Sequence, residues 1–395
     1  MHKYVFILGR KWMLAAAEIK AVFGDAFVTA FNEFAICEFD KPLKDPQIVL
    51  DKLGGTIKIG EIVDEVPGVK HLDSAIIDYL SSVRDGKIQF AISLYNMTDG
   101  YKNTLKKLLR NVKDGLRESG SGKVRFYNKP DQNIKSVVIH EENLAQKGTD
   151  ISVMRDSGRH YIARTVAVQN FKKYSIRDYD RPAKDAKSGM LPPKLAQIMI
   201  NLACKGRDDA VIYDPFCGSG TVLMEGALMG HKVIGSDISN KAILDSQKNL
   251  KWLSEQFKVD LGLVRNIFVK DATKVVLEDL PERPDFIVGE TYLGPPLFKL
   301  PSPDEIKKNF SEIEGIVLGS LKQFKNIAAK GGSIVLAVPF YRYRGGKHFL
   351  DNLVEKAGEL GIVVDNLPNG SKRGSLLYDR KDQVVGREIF RFKIS

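Results

Sequence analysis

Acids that close short apolar runs are the residues of this sequence best placed to do chemistry. Asp214 ends Val211-Ile212-Tyr213 and opens the turn Pro215-Phe216-Cys217-Gly218-Ser219-Gly220-Thr221. Asp237 ends Val233-Ile234-Gly235-Ser236, Asp271 ends Asn266-Ile267-Phe268-Val269-Lys270, and Glu290 ends Phe286-Ile287-Val288-Gly289. A strand, a Gly-rich turn and a helix in succession present free backbone N–H groups and a helix N-terminus to a ligand. Gly218 and Gly220 let the backbone approach that ligand closely. Asp237 follows the turn at close to the ~20 residues at which a second-strand acid meets a ribose in Rossmann-like sites. A carboxylate there can accept from both ribose hydroxyls, and Asp271 with Ala272 suits an adenine amino group. Each acid alone would be accounted for as a helix cap. Three at successive strand ends after a Gly-rich turn point to a nucleoside-bearing ligand.

What the turn lacks narrows that ligand. A nicotinamide-dinucleotide site needs Gly-x-Gly-x-x-Gly, and Gly218-Ser219-Gly220-Thr221-Val222-Leu223 has no third glycine. A Walker-type phosphate loop needs Gly-Lys-Ser/Thr, also missing from this turn. S-adenosylmethionine (AdoMet) carries no phosphate and needs no lysine. The turn is therefore expected to bind this methyl donor through Asp214, Phe216, Gly218, Gly220, Thr221, Asp237, Ile238, Asp271 and Ala272. The cysteines Cys37, Cys204 and Cys217 are far apart and form no Cys-x-x-Cys pair, which argues against a zinc site or a disulfide framework. They fit reduced thiols of a cytoplasmic protein. Cys217 reads as a small side chain filling a tight turn, with catalysis by its thiol as the alternative.

The elements that must position these residues follow from pattern. From residue 210 onward, strands alternate with helices at 240–257 and within 304–329, which implies an α/β, doubly wound sheet with ligands at the carboxyl ends of its strands. A Pro192-Pro193 pair opens a helix whose Leu195, Ile198, Met199 and Leu202 make one buried stripe. Residues 169–192, charged and aromatic, read as a linker. The region before it reads as α+β, in two parts. Residues 1–65 hold strands at 4–8, 34–39 and 56–63 and helices at 14–23 and 46–53. Residues 66–168 hold helices at 71–83 and 101–119 and strands at 88–94, 123–127, 136–139, 149–154 and 159–168.

At 395 residues the chain is long enough for two or three domains. Its 43% hydrophobic content is that of a packed globular protein. No apolar run approaches the ~18–20 residues of a membrane span, so no membrane partner is expected. A net charge of +11 and a pI of about 9.2 favour a polyanionic partner, most simply nucleic acid. Two basic stretches suit a phosphate backbone. One is the helix carrying Lys102, Lys106, Lys107, Arg110, Lys113 and Arg117; the other is Phe340-Tyr341-Arg342-Tyr343-Arg344-Gly345-Gly346-Lys347-His348. Each is equally well read as a solvated surface.

Asp214-Pro215-Phe216-Cys217-Gly218-Ser219-Gly220-Thr221 resembles the AdoMet motif of nucleic-acid amino-group methyltransferases. More of the chain resembles the THUMP-domain tRNA guanosine-10 N2-methyltransferases. The stretches that carry this are Ile7-Leu8-Gly9-Arg10, Arg177-Asp178-Tyr179-Asp180-Arg181-Pro182, Gly189-Met190-Leu191-Pro192-Pro193-Lys194-Leu195-Ala196, Gly374-Ser375-Leu376-Leu377-Tyr378-Asp379-Arg380 and Val385-Gly386-Arg387-Glu388-Ile389. The resemblance implies a ferredoxin-like region (1–65) and a THUMP-like domain (66–168) that hold tRNA. It also implies a Rossmann-like methyltransferase domain (193–395) acting on a guanine amine. Some relatives need a small activating subunit.

That family ends its fourth strand in Asp-Pro-Pro-Tyr. The acid and the next backbone carbonyl accept from the target amine, and the ring stacks on the base. This sequence departs from the pattern with Glu290-Thr291-Tyr292-Leu293-Gly294-Pro295-Pro296. Glu290 stands where the acid belongs, both prolines are replaced and leucine takes the aromatic position. The expected catalytic residues are Glu290 and, with the turn shifted by one residue, Tyr292. Two alternatives to guanine N2 in tRNA stay open: another nucleobase amine in RNA or DNA, and an RNA-binding protein that keeps AdoMet without transferring its methyl group.

Overall fold

A computed structural model describes the whole chain except residues 84–85, 98–99, 130, 147–148, 185–189, 298–300, 344–345, 381–382 and 395. Gly189, Arg344 and Gly345 of the stretches quoted above thus lie outside the described residues. The chain divides into two compact units: Met1–Ile19 with Phe23–Phe171, and Lys20–Val22 with Lys172–Ser395.

The first unit is built on an eight-stranded sheet. Its strands are β1 (His2–Leu8), β2 (Phe27–Ala30), β3 (Phe34–Phe39), β4 (Thr56–Val66), β5 (Ile88–Tyr95), β6 (Val124–Phe126), β7 (Thr149–Asp156) and β8 (Arg159–Val168). They lie in the order β2-β3-β1-β4-β8-β7-β5-β6. The antiparallel pairing of β4 with β8 joins the strands of residues 1–65 to those of 66–168 in one sheet. Helices α1 (Trp12–Phe23) and α2 (Pro46–Asp51) belong to the first stretch, α3 (Leu72–Val83) and α4 (Tyr101–Glu118) to the second. α3 and α4 bury Leu72, Ile76, Leu80, Leu105, Leu109 and Val112 against Phe90, Ile92, Ile151 and Val153 of the sheet. That leaves Lys102, Lys106, Lys107, Arg110 and Arg117 exposed on α4.

The strand expected at 136–139 is instead helix α5 (Ser136–Glu141). Val137 and Val138 carry strand propensity, but only Ile139 is buried in the helix. Ile139 packs with Leu144 against Ala91 and Val168, so one anchor per turn overrides local preference. Within residues 169–192, Phe171–Ser175 form a turn of α-helix (α6) and Ile176–Asp180 a π-helical turn. Arg177 and Arg181 are buried there. Arg177 is held by Glu225 at 2.7 Å.

The second unit has helices on both faces of a mixed sheet. Its strands are β9 (Val211–Asp214), β10 (Lys232–Asp237), β11 (Val264–Val269), β12 (Phe286–Glu290), β13 (Ser333–Tyr343), β14 (Gly346–His348), β15 (Ile362–Val364), β16 (Leu376–Tyr378) and β17 (Val385–Ile394). The order is β11-β10-β9-β12-β13-β17-β15, with β14 on β13 and β16 on β17. β9 to β13 run parallel, and β17 enters antiparallel between β13 and β15. After α7 (Pro193–Cys204), α8 (Thr221–Leu228) and α9 (Asn240–Phe257) pack Leu223, Met224, Ile243, Leu250 and Leu253 on one face. α10 (Pro303–Ile327) and α11 (Leu353–Glu359) pack Ile313, Val317, Phe324, Leu353 and Ala357 on the other. Strand order reverses between β9 and β12, and in such sheets the crevice at that switch point takes the ligand. No helix among the described residues is long and apolar enough to cross a membrane.

Candidate active site

Asp214, the last residue of β9, is 2% exposed and accepts from the Phe216 N–H at 3.0 Å. Burial, with Asp237 and Glu290 nearby, pushes its carboxyl well above the usual carboxylate range. A side chain at residue 289 would put Cβ 2.6 Å from Asp214 Oδ1, so the neighbouring strand needs glycine there. The turn then passes through Gly218 (φ +51) and Gly220 (φ +86), left-handed conformations that disfavour any other residue. Gly220 caps α8, which begins at Thr221.

The turn is held from three sides. The Cys217 N–H donates to Ser236 O and the Gly218 N–H to Asp237 Oδ2, both at 2.9 Å. From α9, Ser246 Oγ donates to Gly218 O at 2.7 Å and Asn249 Nδ2 to Ser219 O at 2.8 Å. Asn249 also exchanges two hydrogen bonds of 2.9 Å with the backbone of Ala183. The buried Arg181 donates to Thr221 Oγ1 at 2.7 Å. Cys217 is a free, buried thiol packed with Leu223 and Val233. Burial first, then Asp214 and Asp237, pushes it well above the usual thiol range, which disfavours the thiolate and suits a side chain that fills space.

Asp214, Phe216, Gly218, Thr221 and Glu290 line one cavity of about 120 Å³, together with Met190, Leu191, Cys217, Ser219 and Val222. Of the other expected donor residues, Gly220 lies outside that lining at the start of α8, and Asp237, Ile238, Asp271 and Ala272 lie at the carboxyl ends of β10 and β11. Asp237 ends β10 and accepts from Gly218 N and Ser239 N at 2.9 Å, one on each oxygen. Each oxygen keeps a lone pair for a further donor. Ile238 beside it is 73% exposed. Asp271 accepts from the Thr273 hydroxyl (2.7 Å) and N–H (2.9 Å). These bonds, the hydroxyl's first, hold its carboxyl below the usual range. Ala272 is buried.

Glu290 ends β12 and is ion-paired with Arg387 of β17; their side chains are 15% and 6% exposed. Burial raises the Glu290 carboxyl and Arg387 opposes the rise. The turn beyond is anchored by Thr291 N–H to Ala337 O at 3.0 Å and by the Tyr341 hydroxyl to Leu293 O at 3.1 Å. Tyr292 between them is 38% exposed. Among the described residues no cluster of His, Cys, Asp and Glu could hold a metal ion.

Arg181, Ser246, Asn249 and Arg387 were not singled out by sequence reasoning. Ser246 and Asn249 interrupt the buried stripe of α9 with polar groups, and that break is a readable signal. Arg181 and Arg387 sit inside quoted stretches, but nothing in the order of residues names their partners.

Residues 181–273 match the UPF0020 RMKL-like methyltransferase domain. The tRNA (guanine(10)-N2)-dimethyltransferase of Methanothermobacter thermautotrophicus is 25% identical over 340 residues, 83% of this chain and 86% of that protein. The Pyrococcus abyssi protein of the same name is 35% identical over 105 residues, 26% of this chain and 27% of its own. Among solved structures, TrmN from Thermus thermophilus aligns over 100% of both chains with a TM-score of 0.54 and 13% identity, a likeness of fold.

Proposed function

We propose that this chain, which carries an RMKL-like methyltransferase domain, is an AdoMet-dependent RNA methyltransferase acting on the N2 amine of guanine in tRNA. The observation that carries the reading is the cavity where the acid of β9, the two-glycine turn and the acid of β12 converge at the switch point. The named relative that spans most of the chain supports the acceptor.

The residues fit AdoMet. Its ammonium and sulfonium groups are cationic, and the cavity presents the carboxyl of Asp214 beside the turn. Bound there, AdoMet supplies an electrophilic methyl group. Asp214, Phe216 and the turn through Gly218, Gly220 and Thr221 would hold its amino-acid end. Asp237 with Ile238 would take the ribose, and Asp271 with Ala272 the adenine. Glu290 accepts a hydrogen bond from the exocyclic amine and holds it in line, which matters because that nitrogen is a poor nucleophile. Tyr292 stacks on the base, which must leave its own stack to reach the cavity.

In this reading residues 1–65 and 66–168 are the ferredoxin-like and THUMP-like parts that hold tRNA. Residues 169–192 connect them to the methyltransferase domain of 193–395, and the enzyme works in the cytoplasm. The exposed lysines and arginines of α4 meet phosphates. The test is incubation with labelled AdoMet and total tRNA, then nucleoside mapping. N2-methylated guanosine is expected. Label confined to DNA or to another nucleoside, or none despite measured AdoMet binding, overturns the assignment.

A further inference from the structure

We propose that Arg387 is a positioning residue that keeps Glu290 an ionised carboxylate, aimed from the cavity wall at the acceptor amine. The inference rests on the function proposed above. Glu290 lines the cavity, and Arg387 Nε donates to its Oε1. The two residues are not on neighbouring strands. β13 lies between them, with Ala337 opposite Glu290 and Pro339 opposite Arg387. Ala337 in turn pairs with Ile389, two residues along from Arg387. Strand pleating therefore puts Glu290, Ala337, Pro339 and Arg387 on one face. The small, uncharged side chains of β13 leave room for a long guanidinium stem to cross the strand. A buried arginine that crosses β13 to meet a carboxylate on β12 is poorly explained as packing alone.

The pairing has a chemical purpose. A buried carboxyl tends to keep its proton, and burial is the leading influence on Glu290, with the acid Asp214 close by. Protonated, Glu290 would turn an O–H toward an N–H of the amine, donor against donor. Ionised, it accepts. Among the described residues, the charged and titratable groups that act on Glu290 are Arg387 from β17 and Asp214 from β9, the latter beside Asp237 of β10; Ala337 and Pro339, which lie between, are uncharged. Of these the cation is Arg387, and it is held in place by the carboxylate it serves.

Four preparations of the full chain test this: wild type, Arg387→Met, Arg387→Lys and Glu290→Gln. Ionisation of Glu290 is read without AdoMet by isotope-edited infrared titration, with Glu290→Gln identifying the band. In wild type Glu290 is expected ionised at neutral pH. Arg387→Met should raise its ionisation by about one pH unit or more, tenfold in the constant. The acidic limb of the kcat profile on tRNA should move upward with it. Arg387→Lys should restore a large part of both shifts, and AdoMet Kd should stay within about threefold. A folded Arg387→Met variant with unshifted titration overturns the inference, as does a titration that shifts while the kcat limb stays put. If Arg387→Met does not fold, wild-type Glu290 found protonated at neutral pH overturns it equally. Wild-type protein that methylates no RNA, yet whose Glu290 responds to Arg387, refutes the proposed function alone.

Discussion

Replacing Asn249 by alanine should loosen the donor turn without touching any residue proposed to contact AdoMet. The Asn249 amide makes three hydrogen bonds: it accepts from Ala183 N–H and donates to Ala183 O and Ser219 O, at 2.9, 2.9 and 2.8 Å. It is fully buried, so alanine leaves one N–H and two carbonyl groups of the backbone without this partner. At ~0.5–1.5 kcal/mol net for each bond, the total is about 1.5–4.5 kcal/mol. Part of that falls on global stability and part on the order of residues 217–220. Assigning about 1.4 kcal/mol to the turn predicts an AdoMet Kd raised about tenfold. Isothermal titration reads the Kd, and hydrogen exchange at the Gly218 and Gly220 amides reads the loosening. Asn249→Asp sharpens the test. It keeps the acceptor for Ala183 N–H but turns a carboxylate against two carbonyl oxygens. Its ionisation should be raised in the folded state, so stability falls as pH rises through the interval above the ordinary carboxylate value. Acidification should partly restore it, because a protonated aspartate can donate again. If Asn249→Ala leaves both the Kd and the exchange of the turn unchanged, the clasp from α9 is not what holds the donor site.

Other outcomes follow from the same geometry. Glu290→Gln should abolish methyl transfer and leave AdoMet Kd nearly unchanged; an equal loss of AdoMet binding would show that Glu290 serves the donor instead. Asp214→Asn should raise the melting temperature of the ligand-free protein above acidic pH while weakening AdoMet binding. The sign follows because the folded state raises the Asp214 carboxyl, so its ionisation costs stability as pH climbs through that window; a lower melting temperature would contradict it. Gly220→Ala imposes a left-handed conformation, ~1–2 kcal/mol, with its Cβ 3.0 Å from Ser246 Oγ. Calorimetry should show AdoMet binding weakened about tenfold or more, and unchanged affinity would refute the need for glycine. Lys106→Glu with Arg110→Glu on α4 should raise KM for tRNA and flatten its salt dependence, with no effect on AdoMet binding; an unaltered salt slope would place the RNA elsewhere.

Local order carried much of the second unit. Short apolar runs ended by acids gave β9, β10 and β12, and the alternation of strands with helices gave α9 at 240–257, because each signal lies within one element or between neighbours. Contacts that join distant elements left no such trace. Glu290 and Arg387 meet across β13, and a buried arginine in β17 reads in sequence as a charge on a half-exposed strand. The π-helical turn at Ile176–Asp180 was equally hidden. Its charged, aromatic composition resembles a solvated linker, and burial of Arg177 and Arg181 depends on partners in α8. The helix at Ser136–Glu141 escaped because its six residues are too few to establish a period. Asp237 and Asp271 were legible as acids at strand ends. That each also caps the backbone beside it shows the helix-cap account and the ligand account to be compatible, since a carboxylate oxygen can serve both.

The late entry of β17 into the middle of the sheet has a consequence for synthesis. A chain emerging from the ribosome folds its earlier parts first, and the parallel strands β9 to β13 precede β17 by dozens of residues. Until that last strand is threaded between β13 and β15, Glu290 has no Arg387 beside it and its carboxyl is free to hold a proton. The turn between β9 and α8 can therefore form before Glu290 gains its Arg387 partner.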